Sequence, residues 1–331
     1  MDKNPQVRSF FWPILLVGVG IIWLLRNLGF IPQFSLGAIL QFWPLLLIVL
    51  GLDILFSRRF PWIGTAVGLI AVAAIVVYLV SGPSLGLNTG STVLNETFSE
   101  PSQGTSTVKY VFDTASSPVN ISVLDEDDKE LILANFTHRG VINFDVSGTK
   151  EKTVHISEDF ENSTWLNWDF SFDRLKWDIA LNPNVPADVK LNGGSGSIDM
   201  DLRGLSLNTL ALDLGSGSSD LWLPQSSQEY EAEIESGSGS VTIDLPEETS
   251  LILSLDTGSG STSVNLPSDA AVRIEVMDDG SGSLSLPDGL TKSSDSAKYS
   301  IGAWQTADFT DSENQVIIKI KGQGSGSISI D

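Results

Sequence analysis

Two patterns of apolar and polar positions divide this chain. Up to residue 80 the apolar residues come in long runs; from Val108 onward they alternate with polar ones. Phe10–Leu25 carries no charge, Leu36–Phe56 is broken only by Gln41 and Asp53, and Ile63–Val80 is clean. About 20 apolar residues in helical form cross a bilayer, so these runs predict three transmembrane helices, about 10–28, 36–56 and 61–80. No small-residue cleavage site follows the first run, which argues against a removed signal peptide. Phe11-Trp12-Pro13-Ile14-Leu15-Leu16-Val17 repeats as Phe42-Trp43-Pro44-Leu45-Leu46-Leu47-Ile48, and Gly20 as Gly51, as in a duplicated helical hairpin. Tryptophan suits the headgroup level, and proline is tolerated in a first helical turn. With three crossings Lys3, Arg8, Arg58 and Arg59 share one side, with Arg26 on the other. Basic residues favour the cytoplasm, which puts the N-terminus inside and everything beyond residue 80 outside.

Residues 81–107 are rich in Ser, Gly, Thr, Asn and Pro and read as a flexible tether. An all-β domain is expected over 108–331. Its first part holds short alternating segments such as Val108-Lys-Tyr110-Val-Phe112 and Val119-Asn-Ile121-Ser-Val123. Its later part is a repeat. Gly-Ser-Gly-Ser stands at 194–197, 215–218, 237–240, 258–261, 280–283 and 324–327, and an alternating strand lies on each side of the phrase. The period is about 21–22 residues, except that the last gap spans two periods. There Ile301-Gly302-Ala303-Trp304 replaces the phrase, and the extra length at 291–298 marks this coil as departing from the scaffold. A fixed period of this size indicates a β-solenoid-like stack, since one such coil cannot bury its apolar face alone. Leu-Pro recurs after the second strand of four units, at 223–224, 245–246, 266–267 and 286–287, and ends it, because proline cannot donate to a sheet ladder.

Charge sharpens the division. The net charge is −22, yet residues 1–81 hold five basic residues against two acidic ones, which leaves 14 basic and 39 acidic residues downstream. An acidic domain on a membrane anchor repels nucleic acid, which is excluded as a partner, while the lipid bilayer is implied as one. The chain has no cysteine, so disulfides, thiol nucleophiles and thiolate metal sites are excluded.

Few residues offer chemistry. His138 and His155 lack partners for a triad or metal site, and Gly82-Pro-Ser84-Leu-Gly86 matches a nucleophile-elbow pattern only inside the tether. Catalytic residues, cofactor and metal are therefore expected to be absent. The Gly-Ser-Gly-Ser ladder reads as turn chemistry before it reads as an anion nest. Asp199, Asp201, Asp213, Asp220 and Asp244 read as a solvated acidic face. Asp53 reads as an interfacial acid beside Arg58 and Arg59. Trp165, Trp168, Trp177 and Trp304 are candidate surface or partner contacts; for the first three, which could stack on cell-wall sugars, apolar capping of the array's first coil is the favoured reading, because end coils need a cover. Gly64 and Gly68 have the small-xxx-small spacing of packed membrane helices.

The duplicated Phe-Trp-Pro unit resembles the membrane region of LiaI/LiaF-like bacterial proteins. Trp177-Asp-Ile-Ala-Leu181 through Val185-Pro186-Ala-Asp-Val-Lys-Leu191, with Gly194-Ser-Gly-Ser197 and Leu202-Arg-Gly204-Leu205, is similar to the toastrack or adhesin-type β-repeat domain found beside it. The third apolar run and the strictness of the repeated phrase depart from the regulatory members. The resemblance implies a non-enzymatic bacterial envelope protein, in some relatives an accessory regulator that senses cell-wall-active antibiotics through a two-component system. Envelope polymers, a sensor kinase or further copies of the chain are the partners it brings in. A self-assembling adhesin or scaffold is the first alternative, and a polysaccharide-active β-helix enzyme the second.

Overall fold

The computed structural model describes residues 93–331 except 115, 160–174, 279 and 294, together with Val17, Gly20, Leu24, Leu47, Ile70, Ala73 and Val77, which are helical. The three expected spans otherwise lie outside the described residues, as do Gly64, Gly68, Asp53, Trp165 and Trp168. Among the described residues no helix is long and apolar enough to cross a membrane. The chain divides into two compact units, and the second, Val93–Glu161 with Arg174–Asp331, holds every described strand.

That unit is a flattened column of two sheets. Its strands are β1 (Leu94–Pro101), β2 (Thr107–Thr114), β3 (Val119–Val123), β4 (Glu130–His138), β5 (Val141–Ser147), β6 (Glu151–Asp159) and β7 (Lys176–Leu181). The repeats supply β8 (Ala187–Gly193), β9 (Ile198–Asp201), β10 (Leu207–Asp213), β11 (Ser219–Trp222), β12 (Tyr230–Ser236), β13 (Ser240–Asp244), β14 (Leu251–Thr257) and β15 (Ser261–Asn265). After them come β16 (Val272–Val276), β17 (Ser283–Ser285), β18 (Thr291–Lys292), β19 (Gly302–Gln305), β20 (Val316–Gln323) and β21 (Ser327–Ile330). One sheet runs β1-β4-β7-β3-β9-β11-β13-β15-β21-β17; the other runs β5-β6-β2-β8-β10-β12-β14-β20-β16-β19-β18.

Alternation builds the core as expected. In register across the second sheet, Val154, Tyr110, Val189, Leu210, Ala232, Leu253, Ile318 and Ile274 form one buried row. Ile179, Ile121, Met200, Leu221, Ile243, Val264 and Ile330 face it from the first sheet. The buried Tyr110 and Tyr230 hydroxyls donate to the Leu131 and Pro224 carbonyls at 2.7 and 2.9 Å, so no phenol is stranded. The Leu-Pro stops work as read. Leu223, Leu245 and Leu266 still donate to the next coil, and the ladder ends at the following proline.

Three expectations change. The stretch read as tether contains β1, antiparallel to β4 from Leu94↔His138 to Glu100↔Ile132. Its single strong inward anchor is Phe98, too weak a period-2 signal to stand out. Second, the coils do not stack in chain order at either end. β2–β3 lies between β6–β7 and β8–β9, and β20–β21 lies between β14–β15 and β16–β17. Third, the silent beat at Gly302 is not a further coil. β19 runs antiparallel along β16, from Arg273↔Gln305 to Val276↔Gly302, and with β18 it closes that edge of the sheet.

Candidate functional site

The repeated glycines pack the turns of the column backbone against backbone. A side chain at Gly217 would strike the Gly196 carbonyl, and one at Gly239 the Gly217 carbonyl. Gly260, Gly326 and Gly282 continue the series onto Gly239, Gly260 and Gly326. The turn amides are spent on the same ladder: Ser216 N–H donates to Gly194 O at 2.8 Å, Ser259 to Gly237 at 2.9 Å, Ser327 to Gly260 at 3.0 Å and Ser281 to Gly324 at 2.9 Å. Donors already paired cannot cradle an anion. The phrase is a stacking device.

The outward faces carry the polar chemistry. On the first sheet one outward row reads Asp178, Asn120, Asp199, Asp220, Thr242, Ser263, Ser329. The row beside it holds Asp201, Trp222, Asp244 and Asn265. Arg203 clasps Asp201 through Nε at 2.8 Å and a second nitrogen at 2.6 Å, and its guanidinium lies 5.9 Å from the Trp222 ring centre. These hydrogen bonds hold the Asp201 carboxyl below its ordinary range. Asn265 donates to Asp244 at 2.8 Å. The sequence reading missed Trp222, although the signal was there: Leu221 and Leu223 point inward, so the residue between them points out.

The tryptophans singled out from sequence fare differently. Trp177 is fully buried in β7, edge-on to Phe136 at 5.0 Å, and offers no surface to a partner. Phe136 meets Phe98 at 5.8 Å, and Phe98 stacks on Phe144 at 5.2 Å. This aromatic file plugs the end of the column that β6 and β7 form. Trp304 is partly buried against the core, in register with Ile274 at the opposite end, with Lys292 Nζ 5.9 Å from its ring centre.

Both histidines are held locally. His138 is buried, with Nδ1 2.9 Å from the Gly140 carbonyl and Nε2 3.5 Å from Glu96. His155 Nε2 lies 2.6 Å from Asp113 Oδ2, while Asn192 donates to the other oxygen of Asp113. Burial pushes the Asp113 carboxyl up, but the Asn192 and His155 hydrogen bonds outweigh it and leave it below the usual range.

A second cluster went unread in the sequence. Arg273, outward on β16, donates to Glu275 at 2.8 Å, Asp295 at 2.8 Å, Gln305 at 3.1 Å, and the Ser293 and Tyr299 oxygens at 3.3 Å. Tyr299 OH donates to Glu275 at 2.6 Å. Hydrogen bonds from Ser293 and Arg273 hold the Asp295 carboxyl down at about 2. Every polar group here is taken, so the cluster pins the 291–299 segment over β16. Among the described residues no group of His, Asp and Glu side chains is arranged to hold a metal ion.

Comparison with known proteins agrees with this architecture. Residues 11–89 match the LiaF transmembrane domain, and residues 91–244 match the N-terminal domain of toast_rack. The chain is thus similar to a LiaF-type membrane region over its first part and, directly after it, to a toastrack domain, the two matches together spanning 11–244. Among solved structures, a candidate cell adhesion protein from Clostridium sporogenes is similar at 19% identity, TM-score 0.48, over 72% of this chain and 99% of its own. A candidate adhesin from Bacteroides fragilis is similar at 12% identity, TM-score 0.34, over 73% and 98%. A candidate lipid binding protein from Parabacteroides distasonis is similar at 12% identity, TM-score 0.32, over 72% and 96%. No curated protein matches the chain.

Proposed function

We propose that this is a non-enzymatic envelope protein, anchored by a multi-pass membrane region, whose β-column stands outside the cytoplasmic membrane and presents a binding surface for envelope-stress sensing. The observation that carries this reading is the joining of a LiaF-type membrane domain to a β-column whose outward rows are polar. Basic residues at 3, 8, 58 and 59 support an internal N-terminus. Protease added to intact cells should then cut within 81–93, and protection there would reverse the topology. Deleting the gene product should also change the output of an envelope-stress reporter under cell-wall-active antibiotics; an unchanged output would remove the sensing role.

A self-assembling scaffold is the second reading. β1 favours it: this eight-residue strand ends its sheet and, among the described residues, pairs on one side only, with β4. End-to-end association would show in light scattering as mass rising with concentration.

A further inference from the structure

Trp222 is the only aromatic side chain that points outward from the described strands of the repeats. Its neighbours across the ladder are Asp201 and Asp244, with Asp220 two residues back on its own strand. Adjacent parallel strands lie about 4.8 Å apart, so these groups share one flat patch. Within it Asp199 and Asp220 stand side by side in register, both exposed and without an ion pair among the described residues. Like charges directly opposite on neighbouring strands destabilise a sheet. Asp201 is neutralised by Arg203 and Asp244 accepts from Asn265, whereas this pair is left uncompensated. The patch therefore offers the half-buried Trp222 ring with the Arg203 guanidinium 5.9 Å from its centre, amide and carboxylate hydrogen-bonding groups around it, and an uncompensated pair of negative charges.

We propose that the Trp222 face is a binding site for a glycan chain bearing free amino groups. A sugar ring presents axial C–H bonds that lie on an indole face, its hydroxyls pair with Asp244 and Asn265, and an ammonium group is drawn to Asp199 and Asp220. The charge decides the polymer class, since phosphate- or uronate-bearing chains would be repelled by the same carboxylates. This inference rests on the column being a binding surface outside the membrane.

The test uses the full chain in detergent micelles and titrates glucosamine hexamer by calorimetry, with N-acetylglucosamine hexamer and a uronate oligomer beside it. The expected result is binding of the amine oligomer at least about tenfold tighter than either comparison. Trp222→Ala should weaken it about tenfold, Trp222→Phe should retain most of it, and Asp199→Asn with Asp220→Asn should erase the preference for the amine. Trp222→Ala alters an outward side chain, and an unchanged melting curve shows that the fold survives. Equal affinity for both hexosamine oligomers overturns the role of the aspartate pair. Unchanged affinity in Trp222→Ala, or no binding at all, overturns the site. Cleavage within 81–93 on intact cells combined with no glycan binding sinks this inference alone, while protection there sinks the reading beneath it.

Discussion

The middle of the column and its two ends use the same coils in different ways. From β8 to β15 each coil rests on the one made just before it, turn glycine over turn glycine. At both ends the outermost coil in the sequence is not outermost in space. β2–β3 and β20–β21 each sit one place inward, with parallel partners on both sides. Beyond β6–β7 and β16–β17 antiparallel strands take over, β4 and then β1 against β7 and β5 against β6 at one end, β19 and then β18 against β16 at the other. A simple stack leaves its last coil held on one face only, where it frays. Slipping that coil inward gives it two ladders, and the edge passes to other strands, short ones (β17 and β18) at the far end.

The largest effect should come from removing the inserted coil. If chain order governed stacking, truncation after residue 314 would cost one coil. In this fold it also strips β16 of its parallel partner, so 272–305 should lose hydrogen-exchange protection by several orders of magnitude while β8–β13 keeps theirs. Retained protection of 272–276 would show that β16 falls back onto β14, as the shared period allows, and would break the comparison.

Next in size is the glycine ladder itself. Gly239→Val places atoms where the Gly217 carbonyl stands, and the backbone ladder on both sides leaves no room to yield. A loss of about 3–5 kcal/mol is expected in chemical denaturation, at the upper end of single substitutions. Gly204, at a turn outside the ladder with φ of +88° and open space around it, should cost only about 1–2 kcal/mol as alanine, for the left-handed backbone alone. Equal losses would mean that the turns tolerate side chains and that the phrase serves something other than stacking.

The same contrast separates core positions. Leu253 is fully buried at mid-column, while Leu284 on β17 is partly exposed. Leu253→Ala should cost about 2–5 kcal/mol and Leu284→Ala distinctly less, read from denaturant midpoints at constant slope.

What could be read in the sequence follows this division. The middle was legible because period-2 alternation and a repeated phrase are local signals: Leu210-Ala-Leu212 and Val241-Thr-Ile243 state their own facing. The ends were not, since no residue of β20 announces that it will enter between β14 and β16 rather than follow β16. Gly302 looked like a coil with its phrase missing because spacing counts positions and not strand direction. The site suffered in another way. Aromatic density at Trp165, Trp168 and Trp177 marks a core plug as readily as a surface, and Trp177, buried beside Phe136, fits the capping reading and not the surface one. Trp222 sits alone in sequence and is turned outward, half-buried, by the parity of its strand. Arg273 gathers partners from 20 to 32 residues away, which no local pattern shows.

The smallest effect belongs to that last cluster and tests whether the far end is held by charge as well as by ladders. Asp295 sits at about 2 in the folded protein because Ser293 and Arg273 donate to its ionised form. A carboxyl freed by unfolding titrates near 3.9. A depressed folded value means that the ionised form stabilises the fold; the contribution is present above about pH 4 and disappears as the pH falls toward 2. The 291–299 segment should thus become more protease-sensitive over that window while β10–β13 stays protected. Asp295→Asn, which cannot ionise, should make the segment sensitive already at neutral pH and flatten its response to acid. Asp295 is 29% exposed and lies beside Lys298 at 3.5 Å, so the change stays local and shrinks in high salt. Loosening of the mid-column over the same window would instead assign the acid response to the stacked acidic rows and leave the charge cluster no separate role.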